Sequence, residues 1–77
     1  MPKYYKVHDS KETIFVTVDD SGAVIIKDVA GHKVFLSKYQ AKLMKFGIEN
    51  LVKDLFKDTD SSDVKVDVIS AEEAGHS

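Results

Sequence analysis

Apolar and polar residues follow two different periods along this chain, and the switch between them falls at Ser37. From Ser37 to Phe56 the period is helical. On a wheel of 100° per residue, Met44, Ile48, Leu51 and Leu55 share one line, with Ala41, Val52 and Phe56 on one flank and Gly47 on the other. Such a stripe predicts a helix that packs on a core, with Lys42, Glu49, Lys53 and Lys57 turned to water. Ser37 and Gln40 stand at the N-cap and N3 positions of a capping box, which satisfies two backbone donors that the first turn otherwise orphans. The C-terminal end is less well marked. Lys57 suits the negative end of the helix dipole, and residues 58–62 are turn formers.

Before Ser37 the period is two. Tyr4–His8 is a first strand, bounded by Asp9-Ser10-Lys11. Glu12–Asp19 is a second, in which Ile14, Val16 and Val18 alternate with Thr13, Phe15 and Thr17, so one face is wholly apolar and the other half so. Asp19-Asp20-Ser21-Gly22 supplies a turn, and Ala23–Val29 returns with Val24 and Ile26 on one face. Ala30-Gly31 turns again into Lys33–Leu36, which runs into the helix cap. After the helix, Val64, Val66 and Val68 alternate with Lys65 and Asp67 and end at Ile69, the pattern of an edge strand. The expected fold is α+β: a small antiparallel meander of three to four strands plus a C-terminal strand, packed against one main helix. Residues 1–70 form this single domain, and 71–77 read as a flexible polar tail.

Two features of the helix complicate this reading. Tyr39, Leu43 and Phe46 follow an i, i+4, i+7 spacing well off the core stripe. Either a second layer covers them or they are exposed, and exposed apolar patches on soluble proteins mark partner surfaces. Gly47 also offers a break, with a first helix ending at Phe46 and a second opening at Glu49.

Composition narrows the function more than it defines one. With 77 residues there is room for one modest core, and 43% apolar with 31% charged residues is an ordinary globular balance. No cysteine is present, which removes disulfides and thiolate chemistry; for a small domain without such staples, oligomerisation is one of the remaining ways to bury more surface. All eleven cations are lysines. Residues 1–46 carry a balance of +3 and residues 47–77 one of −5, together the formal −2 of the chain. No apolar run is long enough for a membrane span or a secretory signal, so the cytoplasm is the expected compartment, that of the host if the protein is viral.

Candidate chemistry is sparse. Asp58, Asp60 and Asp63 superficially resemble a calcium loop, but Ser62, Asp63 and Ile69 occupy positions where an EF-hand needs an acid or amide, a glycine and a carboxylate. His8, His32 and His76 have no ligand spacing, and His8-Asp9-Ser10 is not a triad, because consecutive side chains do not converge on one substrate. No metal, cofactor or small-molecule ligand is expected. Tyr4 and Tyr5 beside Lys3 and Lys6 place aromatics next to cations, as single-stranded nucleic-acid binders do. A negative net charge and the absence of arginine count against that reading.

The expected function is therefore non-enzymatic: an accessory module that binds a protein, itself included as a homo-oligomer. Tyr39, Leu43 and Phe46 would be its anchors, and Lys42, with Lys38 and Lys45, the polar rim. The alternative is a small nucleic-acid-binding domain using Tyr4, Tyr5, Lys3 and Lys6; an enzyme without a recognisable motif is the remote third. A short chain of this composition has the general character of accessory proteins from bacteria and their phages.

Overall fold

The computed structural model describes residues 1–52, 54, 57 and 62–75. Among these residues the elements follow in the order β1 (Lys3–His8), β2 (Thr13–Val18), β3 (Val24–Asp28), β4 (Lys33–Leu36), α1 (Lys38–Leu51) and β5 (Lys65–Ile69). All strand pairings are antiparallel, and the sheet order is β4-β3-β2-β1-β5. The meander is thus completed by β5, which pairs in cis with β1 and forms one edge of the sheet.

The register sorts the side chains into two unlike faces. Val68, Tyr5, Val16, Ile26 and Val34 form one row across all five strands. On the same face lie the rows Val66-Val7-Ile14-Asp28 and Lys3-Val18-Val24-Leu36. This face is apolar apart from Tyr5 and from Lys3 and Asp28 at its margins. The opposite face is mixed: Asp67, Lys6, Phe15, Lys27 and Lys33 make one row, and Ile69, Tyr4, Thr17, Ile25 and Phe35 the next.

Two turns repeat one design at an interval of nine residues. Asp19 and Asp28 each begin an Asp-x-x-Gly loop whose glycine, Gly22 or Gly31, has φ of +90° or +95°, the left-handed conformation that glycine adopts without steric cost. The backbone bonds correspond, Gly22 N to Asp19 O at 3.0 Å and Gly31 N to Asp28 O at 3.3 Å. This is a type I turn followed by a left-handed residue, a standard three-residue hairpin loop. Each aspartate also accepts bonds from the loop backbone: Asp19 from Ser21 and Ala23, Asp28 from Ala30 and His32. Asp9 does the same between β1 and β2, accepting from Lys11 and Glu12 at 2.8 and 2.7 Å.

The capping box forms as its residues require: Gln40 N–H donates to Ser37 Oγ at 3.1 Å, and Ser37 N–H to Gln40 Oε1 at 2.9 Å. The helix then runs without a break through Gly47, so the two-helix alternative does not hold. It ends at Leu51 with Val52 as its C-cap; Lys53, Leu55 and Phe56 of the expected stretch lie outside the described residues, as do Asp58, Asp60 and His76.

The expected core stripe differs from its observed environment. The main contact of α1 with the sheet is along β4, and no helix residue is buried. Met44, Ile48 and Leu51 are exposed, Leu51 to 84%. The 3.6-residue period correctly marks an apolar side; it carries no information about what covers that side. Residues 71–75 form turns after β5. Ala74 N–H donates to Ser70 O at 3.1 Å, Gly75 N–H to Glu72 O at 3.0 Å, and Lys27 Nζ donates to the Ala74 carbonyl. Ala74 is the one buried residue among those described.

Candidate interaction surface

Because α1 sits at the β4 edge, both of its apolar sides are open. Tyr39, Leu43 and Phe46 project from one side and are 65%, 54% and 52% exposed. Lys42 Nζ lies 5.8 Å from the centre of the Tyr39 ring, and Lys38 and Lys45 are exposed beside it. The cation holds the ring in an amphipathic setting, with an aromatic anchor rimmed by charge. Roughly opposite on the helix wheel, Met44, Ile48 and Leu51 make a second apolar side. The described helix is thus apolar on two sides, and both are exposed.

The apolar sheet face is the third open surface. Val34, Val66 and Val68 are exposed, Val68 to 76%, and Ile14 is partly exposed. Val7, Val16, Val18, Val24, Ile26 and Leu36 are half-buried, although Val16 and Ile26 stand on inner strands, where a covering layer would bury them. This surface escapes a reading of the sequence because alternation shows which residues share a face and not whether anything lies over them.

The remaining candidates do not converge. Tyr4 and Tyr5 point to opposite faces of β1, Tyr4 with Lys6-side residues on the mixed face and Tyr5 with Lys3 on the apolar one. Both rings are half-buried, so the two do not form one stacking platform. His8 Nε2 lies 2.7 Å from Asp67 Oδ2, and His32 Nδ1 lies 2.8 Å from Asp28 Oδ2. Asp63 accepts a bond from Ser10 Oγ at 3.2 Å, which ties the start of β5 to the β1–β2 loop. Among the described residues no three His, Asp or Glu side chains gather as metal ligands would. A hollow of about 180 Å³ is lined by Val7, His8, Asp9, Ile14 and Val64, and a larger one of about 440 Å³, within the ~300–1,000 Å³ range of ligand pockets, lies between Phe15, Lys27 and Lys33 of the mixed sheet face and residues 73–75.

Three aspartates of the hairpin turns are held in the charged form by their own loops. The His32 ring and the loop N–H groups hold the Asp28 carboxyl below its ordinary range, the Ser21 hydroxyl and loop backbone do so for Asp19, and the Glu12 and Lys11 N–H groups for Asp9. All three carboxylates lock their own turns. Among the described residues no helix is long and apolar enough to cross a membrane.

Set against known protein families, characterised proteins and solved structures, the chain matches none.

Proposed function

We propose that this chain is a non-enzymatic binding module that acts through contact with protein. The observation that supports the reading is the exposure of Tyr39, Leu43 and Phe46 along one side of α1, rimmed by Lys38, Lys42 and Lys45. Aromatic and aliphatic anchors inside a ring of charge are the composition by which interfaces gain affinity and exclude water. A chain without cysteine needs no oxidising compartment, and the proposal places it in the cytoplasm.

The test is the double substitution Leu43→Asn with Phe46→Asn. Far-ultraviolet circular dichroism and melting temperature stay close to wild type, while proteins retained by the immobilised wild-type chain are lost. A collapse of the fold, or retention of the same proteins by the variant, refutes the assignment.

A further inference from the structure

We infer that the protein is a homodimer in which the Met44-Ile48-Leu51 side of each helix covers the apolar sheet face of the other copy. The inference rests on the reading that this chain works through protein contacts, and it identifies one partner as a second copy of the chain.

The first support is area. A folded monomer of 8.6 kDa exposes about 4,700 Å² by the scaling of surface with mass, yet this chain exposes 6035 Å². The excess is roughly 1,300 Å² per chain, part of it on the chain ends and loops, so a symmetric pair could bury up to about 2,600 Å² of it in all, an upper bound that reaches the range of obligate homodimers. The radius of gyration agrees: 13.2 Å, against about 11.5 Å for a compact domain of this length.

The second support is that only Ala74 is fully buried among the described residues, so the half-buried and exposed apolar side chains of the sheet face are left available to a covering layer.

The third is fit. The stripe from Ala41 to Leu51 is about 15 Å long, and five strands span about 19 Å, so one helix side crosses one sheet face. The centre of that face is uncharged, with Lys3 and Asp28 at its margins, as the core and rim of an interface require. A two-fold axis lets each copy give its helix and receive the other's, which closes the assembly at two. Tyr39, Leu43 and Phe46, on the far side of the helix, remain outward for a different partner.

The test begins with the molar mass of the wild-type chain by light scattering behind a size-exclusion column, over a wide dilution series at low and high salt. The expected mass is twice 8.6 kDa at both salts; a mass of one chain throughout overturns the dimer. Ile48→Asp with Leu51→Asp should halve the mass, whereas Leu43→Asn with Phe46→Asn should leave it unchanged. If the second variant halves it instead, copies meet through the Tyr39 side, which overturns this interface and leaves the protein-binding reading standing. Because the first variant risks unfolding, a second measurement uses the absence of native cysteine. Ile48→Cys and Val68→Cys chains, refolded together and oxidised, should yield a disulfide-linked mixed dimer. A dimer that yields no such link overturns the helix-on-sheet pairing.

Discussion

Replacing Gly47 with alanine separates two structures of the helix by the sign of its effect. In the continuous helix Gly47 is an interior position with helical backbone, and a Cβ added there meets no atom within 4 Å. Alanine then removes only the entropic cost of glycine, about 1 kcal/mol in a helix interior. For a domain of this size that gain raises the melting temperature by ~4–8 °C. If Gly47 were instead a left-handed cap between two helices, the added Cβ would cost about 1–2 kcal/mol and the melting temperature would fall by a similar margin. Thermal unfolding followed at 222 nm, at one fixed protein concentration because any self-association makes melting concentration-dependent, decides between them. A lowered melting temperature refutes the continuous helix.

The hairpin glycines should respond in the opposite direction. Gly31→Ala meets open space but has φ of +95°, so it loses about 1–2 kcal/mol from backbone strain alone, measured as a fall in urea midpoint. Gly22→Ala should lose slightly more, because its Cβ comes to 3.0 Å from Cδ of Lys38, a side chain flexible enough to give way. Ser37→Ala removes the acceptor of the capping box and should cost about 1 kcal/mol in the same assay. Asp9, Asp19 and Asp28 have folded-state values below their ordinary 3.8, so their contribution is complete above 3.8 and is lost as pH falls through the lowered values. Melting temperature should therefore drop on acidification below that point, and less steeply in a variant with asparagine at all three positions.

Much of the fold was legible because strand alternation is a strictly local signal. Thr13–Val18 and Lys65–Ile69 announce themselves by valines and isoleucines at every second position, and Ser37 with Gln40 marks the helix start through bonds between residues three apart. Strand order was not legible: Tyr5 meets Val68 across most of the chain's length, and nothing local encodes that pairing. Nor was the fate of the helix stripe, since Met44 and Ile48 look the same to the sequence whether their cover is their own sheet or another chain. The Asp-x-x-Gly repeat was present in the letters, but its glycines read as ordinary turn residues until the shared φ and the aspartate bonds showed one design used twice. At the candidate site, the spacing of Tyr39, Leu43 and Phe46 singled out an apolar side that is exposed in the structure.

The position of β5 beside β1 also sets the order of events during synthesis. The four strands of the meander are complete once residue 36 has emerged, and each pairs with a neighbour only a few residues away. The outer edge of β1, by contrast, waits for residues 65–69. At a translation rate of ~5–20 residues per second, β5 trails β2 by roughly 3–10 s. For that interval the nascent chain presents an unpaired edge, Lys3 to His8, to whatever chain emerges from the neighbouring ribosome.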